Sequence, residues 1–146
     1  MSSPPAPIDE AVLETFAERA RSHSLVATVE PVDTGGTISM VRLRLDRDRY
    51  PDQIRDARVE LQWYTNGDYN IHYIETHRSD EVWQCRWDRH PNPHTNRIHF
   101  HPPPEAESSD AMSDHPSDRH PAVIFTRTLA NIRQRIEALW EDVPES

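Results

Sequence analysis

Along the chain the apolar positions fall into blocks of two different periods, separated by polar and proline-rich stretches. Ile8, Val12, Leu13, Phe16 and Ala20 recur at helical spacing, and Asp9 and Glu10 sit where the positive end of a helix favours acid. The spacing predicts a first helix of about four turns, ending near Ser22 to Ser24. Alternation then replaces it. Leu25 to Val32 and Thr37 to Leu45 alternate on either side of Asp33-Thr34-Gly35-Gly36, a strong turn signal, and predict a hairpin. Val59, Leu61 and Trp63 mark a third strand, which Asn66-Gly67 closes onto Tyr69, Ile71 and Tyr73. Arg78-Ser79-Asp80 then turns the chain into a strand from Glu81 to Asp88.

After Asp88 the proline density argues against any further strand. Pro91, Pro93, Pro102, Pro103, Pro104, Pro116 and Pro121 each lack the N–H that a sheet ladder requires. Residues 105–120, EAESSDAMSDHPSDRH, have almost no apolar content, and 102–121 as a whole reads as a flexible loop rich in proline and acid. Helical spacing returns at Leu129, Ile132, Ile136, Leu139 and Trp140, with Thr126 or Thr128 as the expected N-cap. No internal repeat is visible. The expected fold is α+β, a single antiparallel sheet of about five strands flanked by an N-terminal and a C-terminal helix. Residues 1–7 are expected to be a disordered lead-in and 8–143 a single domain.

Composition refines this picture. With 146 residues the chain is the size of one domain with one modest core. Its 25 acidic residues outnumber 16 basic ones, and every basic residue is arginine. An acidic, lysine-free surface suits a cytoplasm of multimolar salt, where screening removes the self-repulsion of a net charge of −9. A GC-rich genome that favours Arg codons is the other reading, and under either one acidity does not exclude a nucleic-acid partner. In VRLRLDRDRY, Val41, Leu43 and Leu45 share one strand face while Arg42, Arg44 and Arg47 or Arg49 share the other. That stripe is either a phosphate-facing surface or a solvent face of arginines paired with neighbouring acids.

Cys85 is the only cysteine, so an internal disulfide is excluded. In Trp83-Gln84-Cys85-Arg86-Trp87 the alternation puts the thiol on the face of both tryptophans, which predicts a buried, inert group. The N-terminal MSSPPAPIDE has no basic n-region or apolar h-region, and no apolar run approaches spanning length. A soluble, intracellular protein without a membrane partner is expected.

Candidate chemistry concentrates in CRWDRHPNPHTNRIHFHPPP, residues 85–104. Metal binding is one reading. His90, His94, His99 and His101 are closely spaced, and His99-x-His101 followed by Glu105 has the H-x-H-x3-E spacing of cupin ligands, although three glycines are few for a cupin barrel. Metal-free acid–base chemistry is another. Histidines with pKa values near 6.5 can divide the roles of base and acid at neutral pH, and an arginine can stabilise a phosphorane-like transition state. His99, His101 and Arg97 lie close together, and Arg86, Asp88 and His90 end the preceding strand. The remaining reading is structural, with the histidines bonding loop carbonyls.

The run Cys85-Arg86-Trp87-Asp88 followed by His90-Pro91, then His99-Phe100-His101 and a last amphipathic helix, resembles the TumE-like toxin family of prokaryotic toxin–antitoxin systems. Tyr69-Asn70-Ile71-His72-Tyr73 is similar to the strand that precedes that motif. The chain departs from the family's pattern after the aspartate, where Arg89-His90 replaces Asn-Ala and Pro91-Asn92-Pro93-His94 replaces a His-His pair. The resemblance implies a small cytoplasmic toxin, neutralised by a helix-turn-helix antitoxin, whose effect falls on RNA or translation. Joined to the residues, it points to His99 and His101 as acid and base and to Arg86 as a phosphate contact. Asp88 would be the orienting group, with Arg97, His90 and His94 binding substrate. Neither metal nor cofactor is expected. The alternatives are a non-enzymatic interaction module and a small histidine-rich metal-binding protein.

Overall fold

The computed structural model describes residues 6–90, 98–107, 110–114, 116 and 118–144. Helix α1, Glu10–Arg21, starts where the Asp9 carboxylate accepts the Val12 N–H at 3.2 Å. Asp9 is thus the cap and Glu10 lies in the first turn, and the helix is 12 residues long, shorter than expected. Ahead of it the backbone is tied to the sheet, with Asp9 N–H donating to Trp63 O at 2.8 Å and Thr65 N–H to Pro7 O at 2.9 Å.

Seven antiparallel strands follow in simple meander order: β1 (Val26–Thr34), β2 (Thr37–Leu45), β3 (Ile54–Trp63), β4 (Tyr69–His77), β5 (Val82–Arg89), β6 (Ile98–His101) and β7 (Met112–Ser113). The predicted turns join β1 to β2 and β3 to β4. In the latter, Gly67 takes φ +85°, a left-handed conformation that side chains disfavour. The sequence predicts about five strands; the last two are additional. Prolines bracket Ile98–His101 but none lies within it, so its N–H groups stay free to pair with β5.

Pairing register carries the sheet's alternation across all the central strands. Leu43 lies opposite Val59, Val59 opposite Tyr73, and Tyr73 opposite Cys85, while Leu61, Ile71, Trp87 and Phe100 form a parallel row. The helices cover this face. From α1 come Leu13, Phe16, Ala17 and Ala20, and from α2 (Pro121–Glu141) come Ile124, Phe125, Leu129, Ile132, Ile136 and Leu139. Phe16 joins the layers, stacked on Phe125 with ring centroids 5.2 Å apart and edge-on to Trp63 at 5.6 Å. Burying each such side chain contributes roughly 1.5–3 kcal/mol. Cys85 is in this core, as its alternation predicts, and burial pushes its thiol up to about 12.

Helix α2 begins earlier than expected. Pro121 holds the first helical position and the His120 side chain, not Thr126 or Thr128, accepts the Ala122 N–H. Thr128 is buried inside the helix, where its hydroxyl donates to Ile124 O at 2.8 Å. Midway along α2, Arg135 reaches the fully buried Glu75 of β4 with two hydrogen bonds, at 3.1 and 2.6 Å. Among the described residues, no helix is long and apolar enough to cross a membrane.

Among the described residues, the sheet's other face carries no helix and is largely polar. Arg42 pairs with Glu60 and Glu30, Arg44 with Glu30 and Asp56, and Arg58 with Asp56 and Glu60. The Arg42/Arg44 stripe is therefore the acid-paired solvent face, the second of its two readings. Arg47 and Arg49 leave the strand for a short 3-10 turn.

Candidate functional site

The polar face changes character at β5 and β6. Antiparallel pairing puts Asp88 opposite His99 and Arg86 opposite His101, and residues two apart on a strand share a face. Four chemistry-bearing side chains thus converge by register alone. Asp88 is their centre: its Oδ1 lies 3.0 Å from His99 Nδ1 and its Oδ2 lies 2.7 Å from His101 Nε2. An ionised carboxylate only accepts, so both imidazoles donate, which fixes the tautomer of each neutral ring. Arg86 adds its guanidinium, with Nε 3.4 Å from Asp88 Oδ2 and Nη2 donating to His101 Nδ1 at 3.4 Å. His90, just past the end of β5, brings Nε2 to 3.4 Å from Asp88 Oδ1 and its ring centroid to 5.0 Å from that of His99.

Burial divides this group. Asp88, His99 and His101 are 3%, 1% and 3% exposed, whereas the His90 side chain is 49% exposed and that of Arg86 26%. The segment after β6 covers His101: Gln84 N–H donates to Pro104 O at 2.8 Å, Glu105 bridges to Gln84, and Glu107 O lies 3.4 Å from His101 Nδ1. Among the described residues, His99 Nε2 is buried and meets no hydrogen-bond partner.

Of the residues singled out from sequence, Arg86, Asp88, His90, His99 and His101 come together here. His94 and Arg97 lie outside the described residues. The cupin-like set of His99, His101 and Glu105 does not form. His99 and His101 share a face as expected, but both turn to Asp88, while Glu105 is exposed. Asp88, His90 and His99 instead place one ligand-type atom each within 4.8 Å of the others.

Sequence reasoning missed two neighbours. Asn70 and His72 of β4 lie opposite Asp88 and Arg86 and extend the polar patch, with His72 Nε2 2.8 Å from Gln84 Oε1. Burial lowers the His72 pKa, the Gln84 bond partly opposes that shift, and nearby Arg86 adds to it. The parity of the β4 pattern is the signal that could have found them: with Tyr69, Ile71 and Tyr73 facing inward, Asn70 and His72 must face outward.

No curated protein and no solved structure matches the chain. The family described as Toxin TumE matches residues 13–143, which run from α1 through every strand to just past the end of α2. The chain therefore belongs to the Toxin TumE family.

Proposed function

We propose that this chain acts on RNA or on translation through the Asp88-centred site, as the toxin of a pair whose antitoxin is a helix-turn-helix protein. Membership of a toxin family implies a cognate antitoxin. The observation that carries the site is one buried carboxylate gripping two imidazoles, at 3.0 and 2.7 Å, beside a guanidinium and a half-exposed third imidazole. Cleavage of RNA by its own 2′-hydroxyl needs a base to take that proton, an acid to protonate the leaving 5′-oxygen, and a cation for the phosphorane's charge.

Burial redistributes the expected roles. A side chain 1% or 3% exposed does not touch a phosphodiester, so His99 and His101 act in this arrangement as positioning residues that lock Asp88. Arg86 and His90 are the members that solvent reaches, and they meet the phosphate. Asp88 Oδ1 orients the His90 ring. A composition suited to multimolar salt sets the conditions in which this operates.

The direct test adds tag-free protein at high salt to a reconstituted translation reaction while RNA integrity is followed. The wild type is expected to cut RNA or stop synthesis, and His90→Ala is expected to lose at least about 100-fold of that effect, the usual contribution of a positioned acid–base group. Intact RNA and unimpeded synthesis with the wild type would contradict the mechanism. Equal activity of His90→Ala and wild type would contradict the role of the site.

A further inference from the structure

We infer that Asp88, His90 and His99 form a binding site for a divalent transition-metal ion, with zinc the best-fitting class. Two histidine nitrogens and a carboxylate oxygen are a borderline N2O donor set, which suits zinc and its neighbours better than magnesium or calcium. One ligand atom from each residue lies within 4.8 Å of the other two. The 3.4 Å between His90 Nε2 and Asp88 Oδ1 is close to the edge of a tetrahedron of ligands about 2.0–2.1 Å from zinc.

The contact of His99 with Asp88 has a similar span. His99 Nδ1 lies 3.0 Å from Asp88 Oδ1, so Nδ1 is the nitrogen that can share an ion with that oxygen, the ion taking the place of the proton between them. Asp88 is supported as metal-binding carboxylates are, since its second oxygen is held at 2.7 Å by His101 and at 3.4 Å by Arg86. His90, half exposed, opens the site to solvent, and three protein ligands leave a tetrahedral ion one position for water or substrate.

This trio is not the spaced set that the sequence suggested, because Asp88 replaces Glu105 and His90 replaces His101. Ion binding stands whether or not the chain is toxic.

The test is calorimetric titration of Zn²⁺ into the tag-free full-length protein after chelator treatment and dialysis. The wild type is expected to bind one equivalent, His90→Ala to bind at least about 10-fold more weakly, and His23→Gln, on the far side of the fold, to bind like the wild type. His90→Ala alters a half-exposed side chain, and an unchanged circular dichroism spectrum checks its fold. Asp88→Asn, which keeps the shape of the carboxylate, gives a second loss-of-ligand variant. Absence of saturable binding by the wild type, or equal binding by the wild type and His90→Ala, overturns the inference.

Discussion

Asp88 and Glu75 show what a single buried carboxylate can do on each face of the same sheet. Asp88 gathers three imidazoles and a guanidinium on the polar side, while Glu75, on the helix side, is fully buried and satisfied by structure. It accepts from Arg135 twice and from the Tyr73 hydroxyl at 2.9 Å, and lies 2.8 Å from His77 Nε2. Arg135 also sits 3.7 Å above the Trp83 ring. Removing one partner of such a pair leaves a buried charge uncompensated, so Arg135→Ala is expected to cost about 3–5 kcal/mol, read from the urea midpoint. A cost under about 1 kcal/mol would mean that α2 docks without this pair. Titration at His72 has a definite sign. Its pKa is lowered in the fold, chiefly by burial, so the unfolded chain binds the proton more readily. Stability from this group is full above about pH 6.5, the unfolded value, and falls as pH drops from there through the lowered folded value. The loss of stability between about pH 7.5 and about pH 5.5 is therefore expected to be smaller in His72→Gln than in the wild type. An equal loss would show that His72 is not responsible.

At the scale of elements, the end of β5 is where the site is set. Arg89 Nη1 donates to Asp68 Oδ1 at 2.8 Å and to Asn66 O at 3.1 Å, tying β5 to the β3–β4 turn. Gly67 occupies that turn at φ +85°, and a Cβ there would lie 3.3 Å from Arg89 Nη1. Gly67→Ala is thus expected to cost about 1–2 kcal/mol, measured by urea unfolding, through left-handed strain alone. A neutral effect would show that the turn relaxes. This turn was legible in advance, because Asn-Gly between alternating segments has one dominant conformational meaning. Strand β6 was not, since four residues are too short for periodicity to register and the surrounding prolines outweighed them. The start of α2 was hidden for a related reason: the apolar stripe becomes regular only from Leu129, while the helix begins at Pro121. Arg86, Asp88, His99 and His101 were identified individually from sequence. They were also grouped as one candidate site, but which atoms meet was not legible, because that depends on the pairing of β5 with β6, which sequence spacing does not encode.

Across the whole molecule, the two faces of one sheet divide the work. Both helices lie on one face and build the core, which leaves the other free for charge. Over β1 to β3 that charge is self-paired, arginine against acid, and presents no strongly basic track despite the sixteen arginines of the chain. From β4 to β6 histidines enter it, and Asp88 is a carboxylate buried among them. With the arginines of β1 to β3 paired to acids, the proposed contact with RNA rests on Arg86 and His90. The central claim is that this patch, and not the acidic surface at large, makes the protein a toxin. Growth after induced expression in a salt-adapted host lacking the antitoxin tests it most directly, comparing the wild type with His90→Ala and with His99→Ala/His101→Ala at equal soluble protein levels. Arrest by the wild type and growth with both variants is the predicted result. Arrest by all three proteins, or by none, would contradict the account.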